Sequence, residues 1–157
     1  MIVSPIKLLL SLLFLSCIVS CNSVKCKSKR YLNHSISIEK TACFGTCPQY
    51  IMTINGAGEM QFNGKKFTKM DGNWKAQLEV KEKNQLFGEI EQAQLSKLAD
   101  EYPTNYSDLP STILTYSNGK IIKTIRIEGT HPAILDEIIT KLESKIENAQ
   151  WINLNTH

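Results

Sequence analysis

The sequence predicts an α+β fold, with an antiparallel sheet made from an N-terminal β-meander and a later β-hairpin, and two helices packed on one face. Three observations lead there. Short stretches between Ser35 and Val80 carry apolar residues at every second position. An Asn-Gly pair at 118–119 sits between two further stretches of this kind. Two segments, near 82–93 and 132–149, carry apolar residues at helical spacing. Strands grouped apart from helices, without βαβ alternation, favour an antiparallel sheet.

The elements follow in order. SISIEK alternates Ile36 and Ile38 with polar residues. QYIMTI is a second strand and ends at Asn55-Gly56-Ala57-Gly58, a turn signal. EMQF then runs into Asn63-Gly64, which predicts a tight hairpin turn, because a type I′ turn needs positive φ at both central positions. Asp71-Gly72-Asn73 predicts the next turn and WKAQLEV a further strand. Leu86, Ile90 and Ala93 mark a helix over about 82–93, interrupted by Gly88, and Pro103 closes the irregular stretch after it. Residues 103–110 read as a loop, and STILTYSNGKIIKTIRIEG as a hairpin turning at Asn118-Gly119. Ile134, Leu135, Ile138, Ile139, Leu142 and Ile146 form the stripe of a last helix, with Pro132 in its first turn.

The first residues predict export. Lys7 precedes an apolar run from Leu8 to Val19, the charge order of a secretory signal peptide. The run is shorter than the roughly 20 residues of a membrane span. It ends in Ile18-Val19-Ser20-Cys21, which resembles the bacterial lipobox. That resemblance implies cleavage after Ser20 and lipidation of Cys21 by a diacylglycerol and an N-acyl chain. Residues 1–20 are then a signal peptide, 21–34 a lipidated basic tether, and 35–152 a single domain. Cys17 is a rival lipid site with bulkier residues before it.

Charge excludes one class of partner. The chain carries a net charge of +3, of which Lys7 leaves with the signal. Lys25, Lys27, Lys29 and Arg30 lie in the tether, so the domain itself is mildly acidic. The basic balance is therefore not a nucleic-acid footprint. It suits a tether beside an anionic leaflet. The expected place is the cell envelope, lipid-anchored and periplasm-facing at the outer membrane, with a monomeric domain and an envelope protein or glycan as partner.

The residues CFGTCPQY at 43–50, the NGAGE turn, SDLPSTILTYSNGKIIKT and the Gly129–Pro132–Leu135 spacing carry a further likeness. Together they resemble a bacterial family classed as a domain of unknown function. Its members open on a Cys-Phe-Gly-Thr-Cys-Pro segment and are often lipoproteins or secreted. The likeness covers most of residues 36–150 and implies a fold and a location. It brings no catalytic residues.

Cys43 and Cys47 admit three readings. In an oxidising compartment the first is a disulfide, worth only about 2 kcal/mol for so small a loop. The second is thiol-redox chemistry, which usually uses C-x-x-C at a helix N-terminus. Here the spacing is C-x-x-x-C and a strand follows. The third is a metal site, for which His34, His131 and His157 are too scattered. No cofactor or metal is expected. Hydrolase signatures such as G-x-S-x-G and H-E-x-x-H do not occur, so the domain is expected not to be an enzyme. The candidate binding residues are Phe44, Gly45 and Thr46 at the tip of the cysteine loop, and Asp108 in the 103–110 loop. An inhibitor-like module presenting both loops is one reading of the function. A cleft joining Asp108, His131 and a cysteine would favour an enzyme.

Overall fold

The computed structural model describes residues 29–106 and 108–155. The signal segment, Cys21, Cys26 and most of the tether lie outside the described residues. From Tyr31 onward the described residues form one compact unit.

Strands form where the sequence alternates. The meander comprises β1 (Ser35–Lys40), β2 (Gln49–Asn55), β3 (Glu59–Lys66) and β4 (Gly72–Gln77). After it come helix α1 (Val80–Gln92), a 3₁₀ turn at Leu95–Lys97, and the short strand β5 (Glu101–Tyr102). The hairpin of β6 (Thr112–Ser117) and β7 (Ile122–Ile127) precedes helix α2 (Ala133–Asn148) and the short strand β8 (Ile152–Asn153). All eight strands join one sheet in the order β5-β7-β6-β1-β2-β3-β4-β8. Strand β1 is central. Its Ser35 end pairs with Asn55 and Ser117, and its Lys40 end with Tyr50 and Thr112.

The fold is α+β as expected, but the sheet is mixed. Strand β5 lies parallel to β7, through Glu101 against Arg126 and Tyr102 against Ile127. Two residues are too few to show a periodicity, so this pair has no sequence signal. Its anchors are backbone bonds: Arg126 N–H donates to the Asp100 carbonyl at 2.8 Å, and Glu128 and Gly129 N–H both donate to the Tyr102 carbonyl at 2.9 Å. Strand β8, also unforeseen, pairs antiparallel with β4.

One turn lies elsewhere than the sequence suggests. Asn63 and Gly64 are inside β3, paired with Asn73 and Gly72 of β4. The chain reverses at 67–71 instead, where Phe67 adopts φ +56°. Gly64 is glycine because the backbone crowds it: a Cβ there would lie 2.9 Å from the Met70 carbonyl carbon and 2.6 Å from Thr68 Oγ1. The second Asn-Gly pair does turn. Asn118 Oδ1 accepts from the N–H groups of Lys120 and Ile121, each at 3.0 Å, and Gly119 takes φ +83°.

Alternation makes one face of the sheet apolar. Ile36, Ile38, Met52, Ile54, Met60, Phe62, Leu114, Tyr116, Ile125 and Ile127 are buried, and form one core with Leu86, Phe87 and Ile90 of α1 and Leu135, Ile138 and Leu142 of α2. Lys141 and Lys145 of α2 pair with Glu89 and Glu82 of α1 at 2.7 and 2.9 Å. Such exposed pairs each contribute under about 1 kcal/mol. Tyr31, at the entry to the domain, is buried and its ring stacks on Phe87 at 5.7 Å.

Lys83 is buried among these apolar residues, with 2 % exposure. It shares the α1 stripe with Leu86, Phe87 and Ile90, and donates its Nζ to the Gly56 carbonyl in the β2–β3 turn at 3.0 Å. Burial pushes its pKa below the usual lysine range.

Candidate functional site

The two sequence-marked loops leave the sheet at the same end. Thr41 follows the last residue of β1, and Ser111 precedes the first residue of β6. Thr41 N–H donates to the Ser111 carbonyl at 3.0 Å, and Ser111 N–H donates to Thr41 Oγ1 at 2.8 Å. This pair of bonds joins the bases of the 43–48 and 103–110 loops.

Within the first loop, Cys43 and Cys47 stand at disulfide distance, with Cα atoms 5.8 Å apart. Gly45 N–H points at Cys43 Sγ across 3.3 Å, folding the tip back on itself. Phe44 is left with 93 % of its surface exposed, and Gly45 and Thr46 are exposed beside it. In the second loop, Tyr106 is 76 % and Leu109 49 % exposed. With Asn105 and Asp108 they line an open depression.

Beneath the loops lies a polar clasp that sequence reasoning missed. Ser111 is 2 % exposed. Its hydroxyl donates to Glu128 Oε1 at 2.6 Å, and Arg126 Nε donates to the same oxygen at 2.7 Å. The Ser111 hydroxyl and then Arg126 hold the Glu128 carboxyl below its ordinary range. A carboxylate held this way is a weak base, and the Ser111 proton is already committed to it. The arrangement fastens the start of β6 to the end of β7. A lone serine after a proline carries no signal that would have revealed it.

His131 is occupied on both ring nitrogens. Nδ1 lies 2.6 Å from the Gly129 carbonyl oxygen and Nε2 lies 2.9 Å from Asp136 Oδ1 in the first turn of α2. The Gly129 carbonyl, and after it the Asp136 carboxylate, raise the His131 pKa above the usual range. The protonated ring is thus favoured by folding. Its stabilising effect is complete below the unfolded pKa of about 6.5 and is lost as pH rises through the higher folded value. His131→Gln is expected to destabilise the domain by about 1 kcal/mol at pH 5.5 and by clearly less at pH 8.5. Urea melts of both proteins at the two pH values measure this. An equal loss at both would show that the ring's charge contributes nothing.

The depression around Asp108 does not include His131 or a cysteine. Among the described residues, no three of His, Cys, Asp and Glu gather as a metal would require. Both tryptophans bond to the backbone through their indole N–H groups. Trp74 Nε1 donates to the Asp71 carbonyl at 2.9 Å, and Trp151 Nε1 to the Ile146 carbonyl at 2.8 Å. Trp151 is partly buried against the core, its ring 5.7 Å from Phe62.

An α+β domain of one mixed sheet and two helices, with a disulfide-spaced loop at one end, describes the class of protein. The chain belongs to the family described as Domain of unknown function (DUF6438), whose model matches residues 34–149. The match begins just before β1 and ends just after α2. No curated protein is detectably similar to the chain.

Proposed function

We propose that the chain is a lipid-anchored protein of the bacterial cell envelope, periplasm-facing at the outer membrane, whose domain is a non-enzymatic binding module. Cys21 carries the lipid, and the 43–48 and 103–110 loops present the binding surface to an envelope protein or glycan. The observation that carries this reading is Phe44, an aromatic side chain held 93 % exposed on a loop closed by Cys43 and Cys47. Exposed Tyr106 and Leu109 lie on the loop fastened to it. Apolar surface held open to water beyond scattered single residues marks an interaction site. The cysteine pair leads into a strand, which offers no helix dipole to lower a thiol pKa, so it is read as a staple and not as a redox couple.

Both helices are read as covering the face of the sheet that holds Ile36, Ile38 and Met52. The shared core supports this, as do bonds from α2 to strands β1 and β2 and from α1 to the β2–β3 turn. Glu143 pairs with Lys40 at 3.0 Å and accepts from the Tyr50 hydroxyl at 3.3 Å, while Lys83 reaches Gly56. The binding loops then stand at the end of the sheet, clear of the helical layer.

The test compares the full chain with Cys21→Ala and with Cys43→Ser/Cys47→Ser, by membrane fractionation and by incorporation of labelled palmitate. Label and membrane association are expected to vanish in Cys21→Ala alone. Cys21→Ala that still sediments with the membrane, without any label in the wild-type chain, would overturn the anchor, and Cys21→Ala that keeps both label and sedimentation would move the lipid to Cys17.

A further inference from the structure

Phe44 lies at the pole of the domain opposite the one where the anchored segment enters. The chain enters at Tyr31, beside the turns at 55–58 and 118–121. A Cβ on Gly56 would lie 2.6 Å from the Leu32 carbonyl oxygen, and one on Gly119 would lie 2.7 Å from Asn33 Cβ. From that pole β1 runs through six residues to the loop end of the sheet, a rise of about 20 Å. The 41–48 loop starts where β1 finishes. Its eight residues, TACFGTCP, include no charge. Basic residues strengthen the hold of an interfacial segment on anionic headgroups, and this loop has none. An uncharged tip closed at its base instead offers one aromatic ring with little conformational freedom to lose, which is how an anchor residue fills a pocket on a protein.

We propose that Phe44 is the membrane-distal contact of the anchored molecule, filling an apolar pocket of a protein partner on the side of the domain away from its own bilayer. This rests on the lipid anchor proposed above. The geometry follows from β1 alone: one end receives the tether and the other presents the ring.

The experiment uses the full lipidated chain, purified from membranes and bound to phosphatidylethanolamine–phosphatidylglycerol vesicles that contain a nitroxide-labelled lipid. A fluorescent amino acid replaces either Phe44 or Lys120, which is exposed in the entry-pole turn. Quenching is expected to be several-fold stronger at 120 than at 44. Equal quenching, or stronger quenching at 44, overturns the inference, and the second result would mean that the tip enters the anchoring bilayer. Flotation of the vesicles separates the two readings. A chain that does not float has lost the anchor and this inference with it, whereas one that floats with equal quenching has lost the inference alone. In cells, a photo-crosslinking residue at 44 is expected to give a single protein adduct that competes with untagged wild-type chain and not with untagged Phe44→Ala. An adduct that both competitors displace equally, or none at all, overturns the partner.

Discussion

Lys83→Ala is expected to lower the stability of the domain by about 3 kcal/mol, roughly a third of what a domain of this size possesses. Two losses combine. Removing three buried methylenes costs about 2 kcal/mol, and the Gly56 carbonyl loses a charged donor, at about 1–2 kcal/mol. The gain in helix propensity returns only a few tenths of a kcal/mol. Lys83→Met separates the contributions, because it keeps the stem in place among Leu86, Phe87 and Ile90 and removes only the ammonium. It is expected to cost about 1–2 kcal/mol. Urea denaturation of the three proteins checks both values. A methionine variant as unstable as the alanine variant would assign the whole effect to the ammonium. An alanine variant as stable as wild type would mean that the turn does not need Lys83.

Gly64→Ala is expected to cost about 1–3 kcal/mol, the range for forcing extra atoms into a packed region. The obstacle is the Met70 backbone and Thr68 Oγ1, which a new Cβ would meet inside normal contact distance. Gly64→Asn discriminates between causes. Asparagine tolerates left-handed backbone, so at a true Asn-Gly turn it would be milder than alanine. Within β3, where the Cβ itself is the obstacle, the two substitutions are expected to be similarly harmful. Thermal melts that found the asparagine variant close to wild type would restore the turn that the sequence suggests at 63–64.

The contrast between the two Asn-Gly pairs shows what was legible. Asn118-Gly119 and Asn63-Gly64 are the same dipeptide between alternating residues. At 118 the asparagine side chain has two backbone donors to bind and the turn forms. At 63 the amide donates to Asn73 Oδ1 across the sheet at 2.6 Å, and glycine serves a close approach of backbones. That approach is tertiary and leaves no local trace. The strands β1, β2 and β6 and the helix α2 were readable because periodicity is a property of a few neighbouring residues. The parallel pairing of β5 was not, because it depends on where the carbonyls of Asp100 and Tyr102 arrive. At the site, the cysteine spacing and the Phe44 tip could be picked out by composition alone. The Ser111–Glu128–Arg126 clasp joins residues up to 17 positions apart and shows itself only after folding. Lys83 did carry a signal, its i, i+3, i+4 and i+7 spacing with Leu86, Phe87 and Ile90, masked by the habit of reading lysine as a surface residue.

The sheet ends on both sides in a strand of two residues, β5 and β8. Beyond β5, Lys123 turns its side chain across the open flank of β7 to the Leu98 carbonyl, 2.6 Å away, and to the Asp100 carboxylate. Long bare flanks invite strands from other molecules. On the lipid surface proposed above, a population of such domains would meet flank to flank far more often than in solution. Short terminal strands and a lysine laid over the gap leave neighbours little to zip onto, so dense display need not end in fibres.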